Sequence, residues 1–113
     1  MADAYKLTVR ARGTPQKERF GRIEDALAAL ERQARELERS AGEAPFGGNL
    51  IRRLDPVQIV AARLELSGPR ALRAGVDVRG DGSSEAYTGR VRRRVVQQRP
   101  GESAYDALRR ELA

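Results

Sequence analysis

An α+β domain is predicted by three features of this 113-residue chain: alternating apolar rows of strand length, one long stripe of apolar residues at spacings of three and four, and a short second stripe near the C-terminal end. The predicted order is β-α-β-β-β-α, a two-layer arrangement with a four-stranded sheet and both helices on one face. The size of the chain fits one domain spanning residues 1–113.

The first strand rests on Tyr5, Leu7, Val9 and Ala11 alternating with Lys6, Thr8, Arg10 and Arg12, up to Gly13. Thr14-Pro15 then reads as a helix start, with Thr14 as N-cap and Pro15 at the first helical position, where its missing N–H costs nothing. Phe20, Ile23, Leu27, Leu30, Ala34, Leu37 and Ala41 form the stripe of a helix over 16–40. Its other faces are charged, and Glu18/Arg22 and Glu31/Arg35 stand one turn apart. Gly42 and Pro45 end it. Its heptad-like spacing also admits a coiled coil, but the flanking strand patterns favour packing on a sheet. Residues 42–56, with Gly47-Gly48, form a connector expected to fold over an edge of the domain.

Val60, Ala62, Leu64 and Leu66 make the second strand's apolar row, and Leu72, Ala74, Val76 and Val78 the third's. Pairing Leu64 with Leu72 and Ala62 with Ala74 keeps both rows on one face. The segment Arg79-Gly80-Asp81-Gly82-Ser83-Ser84 supplies turn residues. Tyr87, Val91 and Val95 continue the buried row on a last strand, which Arg93 interrupts. Ser103 and Asp106 have the spacing of a capping box, opening a helix whose apolar face is Tyr105, Leu108 and Leu112.

Composition narrows the chemistry. With no Cys and no His, the chain forms no disulfide, no thiolate or imidazole metal site and no His general base. No carboxylate pair stands in an apolar setting that would tune its pKa values. The expectation is a non-enzymatic protein without catalytic residues, metal or cofactor. No apolar run approaches the roughly 20 residues of a membrane helix, and the first residues lack a basic segment followed by an apolar one. A cytoplasmic protein that engages no membrane is expected.

The net charge is +6 and the isoelectric point about 10.7, which favours acidic partners. Only Lys6 and Lys17 of the basic residues are lysines, an arginine excess that a GC-rich genome also produces, so placement must carry the argument. If the helices cover the apolar rows, the opposite face holds Lys6, Thr8, Arg10 and Arg12, then Val57, Ile59, Ala61, Arg63 and Glu65, then Arg73, Gly75, Asp77 and Arg79, and finally Thr88, Arg90, Arg92 and Arg94. Nine of these side chains are basic and two acidic. A last hairpin pairing Val76 with Gly89 sets Arg73 opposite Arg92, a like-charge confrontation that bound phosphates would relieve. The expected contacts to RNA, a ribosome or another polyanion are Arg10, Arg12, Arg73, Arg90, Arg92 and Arg94. No aromatic residue falls on this face, so a phosphate-and-shape mode is expected rather than base reading. A solvated strand face is the plainer use of the same residues. The alternative function is an oligomerisation or protein-interaction module, with a homo-oligomer burying Val57, Ile59 and the 46–54 connector.

The order β-α-β-β-β-α, with Thr14-Pro15 opening the long helix and Glu102-Ser103-Ala104-Tyr105-Asp106-Ala107-Leu108 opening the last, resembles the ribosome hibernation-promoting factor family. That resemblance implies binding to the small ribosomal subunit through basic surfaces, blocking mRNA and tRNA sites. The chain departs from the family in its longer connector at 42–56 and in a last helix that stops where the family continues into a basic segment. Double-stranded-RNA-binding domains and small-acid-binding regulatory domains share the β-β-β-α ending, so layout alone does not choose among them.

Overall fold

The computed structural model describes residues 4–11, 13–43, 60–89 and 92–112. Its elements are β1 (Tyr5–Arg10), β2 (Gln16–Phe20), α1 (Ile23–Glu43), β3 (Val60–Gly68), β4 (Leu72–Arg79), β5 (Ser84–Thr88), β6 (Arg94–Val95) and α2 (Ala104–Leu112). The class is α+β, but the sheet has six strands instead of four, in the order β2-β1-β3-β4-β5-β6. Every neighbouring pair is antiparallel.

The first correction lies at residues 16–20, which form a strand and not the start of the long helix. Gly13, at φ 64°, falls between β1 and β2, and the hairpin pairs Tyr5 with Phe20 and Thr8 with Lys17. Phe20 and Tyr5 both pack against the core. The sequence of β2 hides its nature because it is an edge strand without a buried row; Lys17, Glu18 and Arg19 are exposed, and such charges discourage pairing with a second molecule. Helix α1 therefore starts after Arg22, whose carbonyl accepts from Ala26 N–H at 3.2 Å. Glu24 and Asp25 complement the helix dipole in its first turn. Glu18 and Arg22 are not helical partners, whereas Glu31 and Arg35 are, at 2.7 Å.

One face of the sheet carries Leu7, Val9, Ala62, Leu64, Leu66, Ala74, Val76, Val78 and Ala86 into a single core with Ala26, Leu27, Leu30 and Ala34 of α1 and Ala104, Tyr105, Ala107 and Leu108 of α2. Both helices lie on this side, as the apolar rows require. Leu64 has no exposed surface, and truncating such a leucine to alanine costs about 3 kcal/mol. The helices are also tied together. Glu38 of α1 accepts hydrogen bonds from Tyr105 Oη of α2 and, at 2.6 Å, from Ser84 Oγ. Burial pushes the Tyr105 phenol well above its ordinary pKa, and the bond to Glu38 adds to that rise. The capping box at α2 forms as expected, Asp106 N–H donating to Ser103 Oγ and Ser103 N–H to Asp106 Oδ2, each at 3.1 Å.

The β3–β4 register differs from the expected one: Leu64 faces Val76 and Leu66 faces Ala74. The difference is an even number of residues, so both rows stay on the core side. The three-residue turn is displaced from Ser67-Gly68-Pro69 to Pro69-Arg70-Ala71, because Gly68 still pairs with Leu72. Leu72 N–H closes it on Pro69 O at 3.2 Å, with Arg70 and Ala71 at φ 60° and 59°. At the other end the ladder shifts between Val60 and Ala62; Val60 leaves the core row and is 40% exposed, while Ala61, expected on the open face, packs partly against the core. Arg79-Gly80-Asp81-Gly82-Ser83 forms the expected turn, Asp81 Oδ1 accepting from Ser83 N–H at 2.9 Å.

The last strand is corrected most. Val76 pairs with Ala86, not Gly89. Ala86 and Val96 are the core residues, while Tyr87 and Val95 oppose each other on the other side of the sheet. The regular ladder ends at Gly89, whose φ of 97° is open only to glycine and where a Cβ would collide with the Arg92 carbonyl. Val91 lies outside the described residues, as do Arg12, Arg90, Val57, Ile59 and the 46–54 connector.

Candidate anion-binding face

The antiparallel ladders set the side chains of the helix-free face into transverse rows. One row runs Arg19 (β2), Lys6 (β1), Ser67 (β3), Arg73 (β4). The next, two residues along each strand, runs Lys17, Thr8, Glu65, Gly75, Tyr87, Val95 across all six strands. The third runs Arg10, Arg63, Asp77, Glu85.

The third row is largely neutralised. Arg63 donates to both carboxylate oxygens of Asp77 at 2.7 and 3.1 Å, and this hydrogen bonding raises the already high pKa of the guanidinium. Arg79, at the same end, pairs with Glu85 at 2.7 Å. Arg10 stands directly across from Arg63, a like-charge contact relieved because Arg10 Nε reaches Glu65 Oε1 at 2.6 Å.

The first row has no such relief. Lys6 and Arg19 also face each other, and no ion pair joins Lys6, Arg19 or Arg73 to a carboxylate among the described residues. Arg73 is oriented by a bond from Nη1 to its neighbour's carbonyl, Leu72 O, at 2.8 Å. Between this row and the next lies a shallow cavity of about 240 Å³, whose polar lining includes Lys6, Thr8, Ser67, Arg73, Arg93 and Glu65. That volume is just under the usual range for small-molecule pockets.

Tyr87 forms part of the same wall. Its phenol lies across β4 where Gly75 leaves room: a Cβ at position 75 would come within 2.5 Å of Tyr87 Oη and 2.7 Å of Cζ. The tyrosine is only 6% exposed, and its hydroxyl has no hydrogen-bond partner among the described residues. Burial pushes its pKa up to about 12. Above it sits Arg93, with Cζ 4.7 Å from the ring centroid and Nη2 3.6 Å from the second oxygen of Glu65. Glu65 thus bridges two arginines, Arg10 and Arg93.

The expected contact residues divide accordingly. Arg10 and Arg73 both line the cavity. Arg92 is exposed in the segment between β5 and β6. Arg94 pairs with Thr88, so it belongs to the helix-side parity of the sheet and away from the cavity. The Arg73–Arg92 confrontation does not form, since Arg73 O instead accepts from Gly89 N–H at 2.8 Å; the unrelieved like-charge pair is Lys6 and Arg19. Arg12 and Arg90 lie outside the described residues. Arg19, Lys17, Arg93 and the aromatic Tyr87 complete the face without having been expected to. The alternation of Lys17 and Arg19 was a signal for the first two, and the misfit of Arg93 in an apolar row was the signal for the third.

Among the described residues no helix is long and apolar enough to cross a membrane. Comparison with protein-family models, with curated proteins and with solved structures finds no match.

Proposed function

We propose that this is a non-enzymatic binding domain whose helix-free sheet face holds the phosphates of RNA or another polyanion. The observation that carries the reading is the acid-free row Arg19–Lys6–Ser67–Arg73 beside a concave, arginine-lined cavity. Facing cations destabilise a ladder unless something acidic lies between them, and phosphate oxygens match both the ammonium of Lys6 and the donor fork of Arg73. Among the described residues the only carboxylate at the cavity, Glu65, is engaged by two arginines, which suits a counter-ion better than a general base. A ribosomal partner, as the hibernation-factor resemblance implies, is the cellular setting this reading favours.

Heparin chromatography in a salt gradient tests it. The protein is expected to be retained, and single-stranded RNA affinity to fall with salt at a log–log slope of about −0.7 per phosphate contacted. Lys6→Glu/Arg73→Glu should abolish retention while leaving the melting curve cooperative. Unchanged retention of that folded variant sinks the reading.

A further inference from the structure

Resting on that reading, we infer that the cavity is a subsite for one nucleotide of single-stranded RNA, with the base stacked on Arg93 and its phosphate held by Lys6 and Arg73. Phosphate binding alone accounts for the acid-free row. It does not account for the neighbouring row, where an aromatic ring is buried under a guanidinium at the cavity wall.

Arg93 is held from two directions. Tyr87 supports it from below at 4.7 Å, and Glu65 fixes one of its nitrogens from the side at 3.6 Å. Its remaining side is exposed to solvent at the cavity mouth. An arginine restrained in this way loses less freedom when a base stacks on it than a free surface arginine would, and unstacked bases pack on guanidinium groups as well as on aromatic rings. The Tyr87–Arg93–base stack would then extend outward from Gly75, the one position on β4 that leaves room for the phenol.

The distances suit a nucleotide. The acid-free row and the Tyr87 row are two residues apart along each strand, about 6.6 Å at 3.3 Å per residue, which is of the order of the separation between a nucleotide's phosphate and its base. Ser67 of the first row and Thr8 of the second line the same cavity, so each row offers it a hydroxyl-bearing residue. A duplex presents its phosphates to the same row but keeps its bases stacked in the helix, so the Arg93 contact belongs to single strands alone.

The test uses the full chain and three probes: a short fluorescein-labelled oligoadenylate, the same strand annealed to its complement, and inorganic polyphosphate. Arg93→Lys keeps the charge and removes the planar group, and its melting curve reports separately on the packing of the guanidinium over Tyr87. The expected result is a loss of roughly tenfold in affinity for the single strand, the size of one base stack, with a clearly smaller loss on the duplex and on polyphosphate, which still meet a cation at this position. Equal losses on all three probes, or no loss on the single strand, overturn the subsite while leaving phosphate binding intact. Failure of the unmodified protein to bind any of the three overturns phosphate binding itself, and the subsite with it.

Discussion

The two ends of the helix-free face are built from the same residue types and behave oppositely. At the Arg10–Glu85 end each described arginine meets a carboxylate: Arg63 with Asp77, Arg79 with Glu85, Arg10 with Glu65. At the Arg19–Arg73 end Lys6 faces Arg19, Arg73 faces Ser67, and no carboxylate stands in the row among the described residues. Arginine count alone therefore does not mark a binding surface. What separates the two ends is that Asp77 and Glu85 stand within the paired end's own row, while Glu65, one step from both ends, is taken up by Arg10 and Arg93; one end is an ion-pair lattice and the other keeps cations that no described carboxylate meets.

The contrast can be broken or sharpened in order of effect. Charge reversal at the open end, Lys6→Glu/Arg73→Glu, should weaken RNA binding by roughly a hundredfold or more at moderate salt, measured by fluorescence anisotropy, with little change in stability. Equal binding by variant and parent would erase the distinction between the ends.

Between the two ends sits Tyr87, and here pH is the probe. Its folded pKa lies near 12, against 10 for an exposed phenol. In that window the unfolded chain loses a proton that the folded chain keeps, so this contribution to stability is complete below pH 10 and is lost as pH rises to 12, by about 2 kcal/mol. Tyr105, also raised by burial, adds to the same decline from the helix side. Tyr87→Phe should flatten part of the slope in denaturant titrations at alkaline pH; a slope unchanged by the substitution would show that the ring is not buried as described.

At the paired end, Arg63→Met strips Asp77 of its partner. The aspartate is 9% exposed, so stability should fall by about 1.5 kcal/mol, read from urea midpoints, while heparin retention changes little. A large loss of retention in this variant would show that the paired end also contacts the anion. The smallest effect belongs to the carboxylate shared between the rows. Glu65→Gln frees Arg10 and Arg93 from their resident counter-ion and should tighten polyphosphate binding about threefold, the scale of a partly exposed ion pair; weaker binding would mean that Glu65 positions the arginines for the ligand.

Much of the fold was legible because burial writes a period into the sequence. The stripe Ile23, Leu27, Leu30, Ala34, Leu37, Ala41 marked α1, the rows ending in Leu66 and Val78 marked the central strands, and Ser103/Asp106 marked the start of α2. Strand β2 was illegible for the complementary reason. Four of its five residues are exposed, so nothing alternates between core and solvent, and Phe20 lies three residues before Ile23, where it mimics one more step of the helical stripe. The same physics limited the site. Arg10 and Arg73 sit on strands whose apolar rows fix their parity. Arg92 and Arg94 follow Gly89, where the chain leaves the regular ladder, and no count of alternation carries across that break. Arg93 looked misplaced only because Tyr87 was assigned to the core; Gly75, directly opposite, makes space on the other side.

β6 is only two residues long, so the sequence around it bears on how firmly this edge of the sheet is aligned. Its register rests on the pairs Tyr87–Val95 and Thr88–Arg94 and on Val96 N–H donating to Ala86 O at 2.8 Å, and a one-residue slip moves every side chain to the opposite face. In one direction, Val95 would take the apolar seat of Val96 and Arg92 would replace Arg93 above the ring. In the other, Gln97 would have to enter the core. The run Arg92-Arg93-Arg94 followed by Val95-Val96 is thus degenerate in a single direction, so one residue added to the loop before it leaves an arginine over the ring and a valine in the core, whereas one residue removed brings Gln97 inward.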